Sequence, residues 1–431
     1  MMTPARTPGD TDWFMHDRFG LFIHFGLYSL AARHEWVKYN EAIPDSVYQT
    51  YFAEFNPDLY DPCSWAAAAR QAGMKYVVLT TKHHEGFCLW DSKLTDYKIT
   101  NTPYGKDALH PYVEAFRAEG LKVGFYHSLI DWHHPQFPID GQHPLRDDPA
   151  ATTLNQQRDM SKYVDYLHGQ VRELLTDFGK IDILWFDFSY PDFTYRGLPG
   201  KGKDQWQSEK LLKMVRQLQP GIIVNNRLNL PKGNADFYTP EQYQPRAWVK
   251  VDGEPVVWEA CQTFSGSWGY YRDEETWKSP QQLVQMLINT VSCGGNLIMN
   301  VGPTSRGTFD PRALSALNAY GDWLRVCGRS IYGCTQSDLT PPQDCRFTQN
   351  GNRLYLHIFN WPFKWIYLDG MAGKIEYAQL LHDGSQVMVK SALRDYNYEA
   401  VAQPISPDTA VLELPVRRPD VVVPVVELVL K

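Results

Sequence analysis

Nothing in these 431 residues reads as a membrane span, a disulfide framework or a nucleic-acid-binding arm. The first residues, MMTPARTPGDTDWF, hold no apolar run of the kind a secretory leader carries, and no later apolar run is long enough to cross a bilayer. On that reading the protein is expected to stay in the cytoplasm. The formal charge of -7 is spread over both signs with no basic stripe, which argues against nucleic acid and anionic membrane as partners. Seven cysteines, at 63, 88, 261, 293, 327, 334 and 345, are odd in number and scattered, and none forms a C-x-x-C pair. Reduced thiols are expected, with a Cys327–Cys334 bridge left open by spacing. There is no low-complexity segment and no long linker.

Aromatic residues are plentiful instead. Fourteen Trp and 25 Tyr, many near predicted strand ends, suit a site that stacks rings on the apolar faces of a small organic ligand, although most of them singly serve to fill a core. Four stretches repeat one arrangement, in which Gly or Pro-Gly precedes an apolar run of strand length that ends in polar residues. They are GMKYVVLTTKHH (73–84), GLKVGFYHSLIDW (120–132), GKIDILWFDF (179–188) and PGIIVNNR (220–227). A first strand is expected over Phe19 to Phe25, delivering His24 near its end. Helices are expected over Ser64–Ala72, Ala108–Glu119, Thr153–Phe178, Glu209–Gln217, Pro280–Ser292 and Arg312–Val326. In the third, Val171, Leu174, Leu175 and Phe178 follow i, i+3, i+4, i+7 and form one apolar stripe. Consecutive βα units of this kind predict a (β/α)8-like TIM barrel, whose active site lies at the C-terminal strand ends. After about Cys334 short alternating runs such as RLYLHIFNW (353–361), KWIYLD (364–369) and VVVPVVELVL (421–430) predict a C-terminal antiparallel β-sandwich. The chain therefore divides into a barrel over 1–334 and a sandwich over 335–431.

Residues able to do chemistry fall at those strand ends. Asp187 ends IDILWFDF, where Ile181, Ile183 and Trp185 share its face by strand alternation. A carboxylate there points into the barrel mouth, either for catalysis or to pair with an arginine such as Arg227. The second strand end, Asn225-Asn226-Arg227, converges on the same mouth and favours catalysis. Cleaving a glycosidic bond takes two carboxyl groups, one to attack or activate water and one to protonate the departing oxygen. For the second acid, Glu241 in the loop DFYTPEQY (236–243) ranks first. Glu259, closing a strand VVWE (256–259), ranks second and could instead orient its neighbours; for either alone, a solvated surface acid is an equal alternative. His24 and the pair His83-His84 follow strands. Imidazoles beside a carboxylate suit either a metal ion or sugar hydroxyls, but adjacent strand residues face opposite ways and share one ion poorly unless the loop turns there. His133-His134 read as loop structure or rim.

Taken together, RFGLFIHFGLYS (18–29), EW (35–36), KHHEGFCLWDS (82–92), GFYHSLIDW (124–132), WFDF (185–188), SWGYYR (267–272) and GGNLIMNVGP (294–303) resemble the α-L-fucosidases of glycoside hydrolase family 29, in the family's order and across about residues 10–333. The resemblance implies that Asp187 is the nucleophile and that Trp185 lines the fucose pocket. It implies that His24, Glu35, Trp36, His83, His84, Tyr126 and Arg227 hold the fucose hydroxyls or flank the ring, and that Trp268 lies beside the C6 methyl. The segment TPEQ makes Glu241 the match for the acid/base, which in this family sits in a variable loop. One departure is Tyr126-His127-Ser128, where many members read Tyr-Tyr-Ser. The implied activity is that of a retaining exo-α-L-fucosidase acting on fucosylated oligosaccharides or glycoconjugates, with no cofactor and no metal. Two rivals are a non-catalytic fucose-binding protein and a metal-dependent barrel hydrolase built on His24, His83, His84 and Asp187. Linkage preference, transfer of fucose to other sugars and association between copies stay open.

Overall fold

In the computed structural model, which describes residues 3–391 and 406–431, the Gly-then-strand runs become one parallel sheet. Its strands are β1 (Phe19–Ile23), β2 (Tyr76–Lys82), β3 (Lys122–Ser128), β4 (Ile183–Asp187), β5 (Ile223–Val224), β6 (Glu259–Thr263) and β7 (Asn296–Val301), in the order β6-β7-β1-β2-β3-β4-β5. β1, β2, β6 and β7 are buried along their whole length, as strands covered on both faces must be. The gap between β5 and β6 is closed by an extended segment over 236–242. It makes parallel bridges from Phe237 to Asn225, from Tyr238 to Trp258 and from Glu241 to Cys261. Backbone bonds from Asp236 N to Val224 O (2.8 Å) and from Cys261 N to Pro240 O (3.0 Å) fix it on both sides. The segment thus stands in the eighth barrel position, and Glu241 lies at its C-terminal end.

Strand alternation sorts the side chains into two cores. Outside the sheet, α1 (Pro62–Gln71), α2 (Leu109–Ala118), α3 (Met160–Thr176), α4 (Ser208–Leu218), α5 (Pro280–Ser292) and α6 (Pro311–Cys327) pack their apolar stripes on the strands. Inside, Phe22, Tyr76, Val78, Tyr126, Ile183, Trp185, Ile223, Phe237, Cys261 and Ile298 form a separate cluster, with Phe14 among them. Val171, Leu174, Leu175 and Phe178 are all buried, as the expected stripe requires.

The long helix expected over Thr153–Phe178 is in fact two, because a short helix ends at Asn155 and Asp159 starts α3. The Asp159 backbone is extended and its carboxylate accepts from Ser161 N, an N-cap that the uninterrupted polar run concealed. β1 stops at Ile23 rather than Phe25, since Phe25 N–H turns to Thr80 Oγ1 at 3.1 Å. All seven cysteines are free, Cys327 and Cys334 included.

The C-terminal runs form two antiparallel sheets. β8 (Thr335–Gln336), β9 (Cys345–Asn350), β10 (Arg353–Ile358), β12 (Ile375–Leu380) and β15 (Val425–Leu430) give the order β8-β9-β10-β15-β12, and β11 (Trp365–Leu368), β13 (Met388–Ser391) and β14 (Ala410–Glu413) give β11-β14-β13. Trp323 Nε1 of α6 donates to Val423 O at 2.8 Å, and Thr348 Oγ1 donates to Ser330 O at 2.6 Å, so this region rests on α6 and the turn after it. Among the described residues no helix is long and apolar enough to cross a membrane.

Candidate active site

At the C-terminal ends of the strands a cavity opens to solvent. His24, Glu35, Trp36, His83, His84, Tyr126, Trp185, Asp187, Arg227, Glu241 and Trp268 all line it. Glu259 does not.

Both neighbours of the His83-His84 pair are charged, and each is tied to a different wall. Lys82 Nζ lies 3.1 Å from Asp131 Oδ2 in a pair almost wholly out of water, while Glu85 accepts from Leu27 N–H at 2.9 Å and from the Tyr48 hydroxyl. Between these anchors the chain turns, with Gly86 N–H donating to His83 O and Lys82 bridging back to Cys88. Gly86 has φ +85°, and a Cβ there would lie 2.2 Å from Asp131 Oδ1, so only glycine lets the loop close on that carboxylate. Both imidazoles consequently face one cavity, their ring centroids 4.0 Å apart, which strand alternation alone forbids. Burial works against the Asp131 charge, but Lys82 and the loop N–H groups hold its carboxyl below the usual range. Lys82→Met leaves Asp131 buried and unpaired, and is expected to destabilise the protein by about 3–5 kcal/mol. The midpoint of urea unfolding should fall accordingly, and Lys82→Met with Asp131→Leu should recover most of the loss. An unchanged midpoint in the single variant would refute the anchor.

Asp187 ends β4 as expected, and its carboxylate is held at both oxygens. Arg227 Nη1 donates to Oδ1 at 3.2 Å and the Tyr126 hydroxyl to Oδ2 at 2.9 Å, while His84 Nε2 lies 3.8 Å from Oδ2. Burial pushes the Asp187 carboxyl up to about 6, against the pull of Arg227. Burial likewise opposes the Arg227 charge, but the two carboxylates outweigh it and the guanidinium stays protonated. Its other end, Nη2, donates to Glu241 Oε2 at 2.7 Å, and Nε donates to Thr239 Oγ1 at 2.8 Å. One guanidinium therefore carries both acids, and it lies 5.1 Å from the Trp185 ring centroid. Glu241 keeps 40% of its side chain in solvent, whereas Asp187 keeps 15%. Glu241 is thus the more exposed of the two acids.

The imidazoles are neutral and oriented. Burial lowers the His24 pKa to about 3, and its Nδ1–H donates to Asn300 Oδ1 at 2.6 Å, since Oδ1 can only accept. Ser128 spends its hydroxyl proton on Ile130 O, so the bond between Ser128 Oγ and His84 Nδ1, at 2.7 Å, is donated by the imidazole. In both rings Nε2 is left as an acceptor, the partner a sugar hydroxyl donor needs. His83 Nδ1 is buried without a partner among the described residues. Glu35 is buried with its affinity for a proton raised by that burial, and it accepts from Gly269 N–H at 2.7 Å.

One reading changes on this geometry. Glu259 opens β6 instead of closing a strand, because pairing with β7 begins at Glu259 opposite Asn296. Its carboxyl consequently lies beneath the cavity, accepting from the Trp185 indole N–H at 3.2 Å and the Tyr76 hydroxyl at 2.5 Å; burial pushes it up to about 7. It supports Trp185 from outside the cavity lining. His133 and His134 bond through their backbones to Asp131 and stay out of the cavity. Sequence reasoning missed Phe22, Phe188 and Cys261, which line it. Cys261 lies two residues past Glu259 on one strand face, so alternation could have found it. Phe188 gave no signal: it enters the wall because its backbone turns to φ +81°, a conformation that carries strain in a non-glycine residue.

Two carboxylates facing one cavity can serve as the nucleophile and proton donor that cleavage of a glycosidic bond requires, and the surrounding rings offer flat apolar faces to a pyranose. The class is that of the barrel glycoside hydrolases. Comparison with known proteins narrows it: the chain belongs to the α-L-fucosidase family, whose sequence profile matches residues 6–329. It is similar to α-L-fucosidase isoenzyme 1 from Paenibacillus thiaminolyticus, with 46% identity and a TM-score of 0.90 over 98% of each chain. A family 29 α-L-fucosidase from Bacteroides thetaiotaomicron, solved as a trapped covalent intermediate with 2-fluoro-fucosyl fluoride, is 27% identical with a TM-score of 0.82 over 100% of this chain and 98% of that one. Human plasma α-L-fucosidase is 30% identical over 382 residues, covering 81% of this chain and 76% of its own length. Among the described residues no group of three His, Cys, Asp or Glu side chains is placed to hold a metal ion.

Proposed function

We propose that this chain is a retaining exo-α-L-fucosidase that releases terminal α-L-fucose from fucosylated oligosaccharides or glycoconjugates, with catalysis carried by residues 1–334. The observation that carries this reading is the bridging of Asp187 and Glu241 by the single Arg227 guanidinium at the barrel mouth. Asp187 attacks C1 of the fucose while Glu241 gives its proton to the departing oxygen, and the C1–O bond to the aglycone breaks as the C1–Oδ bond forms. Glu241, now ionised, takes a proton from water, whose oxygen attacks C1 and releases Asp187; two inversions leave the α configuration unchanged. Arg227 and the Tyr126 hydroxyl fix the attacking carboxylate, and the acceptor nitrogens of His24 and His84 receive sugar hydroxyls. Trp268 packs on the C6 methyl. The covalent intermediate trapped in the Bacteroides thetaiotaomicron relative supports the same course here.

The test is the pH dependence of 4-nitrophenyl α-L-fucoside hydrolysis. Asp187 must be ionised to attack, and its carboxyl is pushed up to about 6. Below that value kcat/KM should fall about tenfold per pH unit, and above it the rate should level off. A rate that stays flat down to pH 4.5 would contradict the role given to Asp187. Fucose binding by calorimetry without turnover of the aryl glycoside or of branched fucosylated oligosaccharides would replace the enzyme by a binding protein.

A further inference from the structure

We propose that Asn300 and Gly302, at and just beyond the end of β7, set the position of Trp268 and thereby the preference for a methyl over a hydroxymethyl group on the sugar. The inference rests on the fucosidase reading above. Its basis is the way one peptide group is gripped. The Trp268 carbonyl accepts from Asn300 Nδ2 at 2.6 Å, and the next N–H, that of Gly269, donates to Glu35 Oε2 at 2.7 Å. The Trp268–Gly269 peptide is therefore held at both ends, by Asn300 and by the cavity-lining Glu35.

Asn300 is 2% exposed, and its two ends do different work. Its amide nitrogen holds the Trp268 backbone, while its oxygen receives the His24 Nδ1 proton and so keeps the His24 Nε2 lone pair toward the sugar. The Trp268 ring lies 5.3 Å from His24 and 6.0 Å from Phe22, so the loop position decides where the apolar wall stands relative to the polar grip. Gly302 packs against this peptide and the next, Gly269–Tyr270. A Cβ at Gly302 would lie 2.4 Å from Tyr270 N, 2.5 Å from the Gly269 carbonyl carbon and 2.8 Å from Trp268 O, so any side chain there displaces the loop. On its other side the loop borders a narrow crevice lined by Tyr270, Tyr271 and Trp277. The loop depends on these bonds and on the bare Gly302 backbone to keep Trp268 in place.

Asn300 and Gly302 are positioning residues, and discrimination between substrates is the readout a general loss of packing would leave unchanged. The experiment compares kcat/KM for 4-nitrophenyl α-L-fucoside and 4-nitrophenyl α-L-galactoside, which differ only by the 6-hydroxyl. The wild type is expected to favour the fucoside by on the order of a hundredfold, the limit for an apolar wall facing an added hydroxyl. Asn300→Ala and Gly302→Ala should each lower that ratio about tenfold, through a higher KM for the fucoside with galactoside turnover kept or raised. Asn300→Asp retains the acceptor for His24 and loses the donor to Trp268 O, and it should share the loss of discrimination. Near-UV circular dichroism identifies which variants are folded. Folded variants whose losses on both substrates are proportional, leaving the ratio within about twofold of wild type, would overturn the proposal. A wild type inert on both glycosides and on branched fucosylated oligosaccharides would instead overturn the fucosidase reading on which it rests.

Discussion

Asp187→Ala is expected to hydrolyse 4-nitrophenyl α-L-fucoside on the order of 10⁴-fold more slowly than the wild type, and added azide is expected to restore turnover. The substitution removes the carboxylate held by both Arg227 and Tyr126 and leaves a space at C1 that a small anion fills. Azide then attacks from the face Asp187 occupied while the aryloxide departs, so the product is β-fucosyl azide. Rescue without that product, or no loss at all, would remove Asp187 from the mechanism. The lost rate is not lost fold. The Asp187 carboxyl titrates near 6 in the folded protein against an ordinary value near 3.8, so its ionisation opposes folding. The cost grows as pH rises from about 4 to about 6 and is complete above that. Asp187→Asn should therefore be more stable than wild type at pH 7 by on the order of 1–3 kcal/mol, with the gain gone below about pH 4.

Glu241→Ala should separate substrates by their leaving groups. A sugar hydroxyl departs poorly without a proton, so fucosylated disaccharides should lose about 10²–10⁴-fold in kcat/KM, the usual contribution of a general acid. 4-Nitrophenolate departs without help, and the same variant should keep most of its kcat/KM on the aryl glycoside. The alternative acid is Glu259, and Glu259→Gln is the control, because an amide still reaches Trp185 and Tyr76. Leaving-group dependence confined to Glu259→Gln would move the role of acid to that residue.

Much of this site was legible because strand alternation fixes which side chains enter a barrel. Ile183, Trp185 and Asp187 share one phase of β4, and the sequence places Asp187 at its end without further information. The barrel and the antiparallel C-terminal sheets were legible for the same reason, as runs of period two and of continuous apolarity. Illegible features were those in which the chain departs from its period. His83 and His84 both face the cavity because Lys82 and Glu85 are tied to Asp131 and to the Leu27 N–H, contacts between residues dozens of positions apart. Phe188 faces it through a left-handed backbone that no residue type announces. Glu241 reads as part of a loop since its segment pairs through scattered bridges, and only tertiary structure gives that segment the eighth barrel position. Glu259 shows the converse error: pairing begins at Glu259 instead of ending there, which places its carboxyl beneath Trp185 rather than at the mouth.

On the proposed mechanism fucose passes through a covalent bond to Asp187. Mass spectrometry of the protein after treatment with 2-fluoro-fucosyl fluoride reads that bond. One fluorofucosyl adduct per chain is expected, on the peptide containing Asp187, absent from Asp187→Ala and lost on incubation with an acceptor as activity returns. An adduct on another carboxylate, or an unlabelled enzyme that hydrolyses α-L-fucosides with inversion, would contradict it.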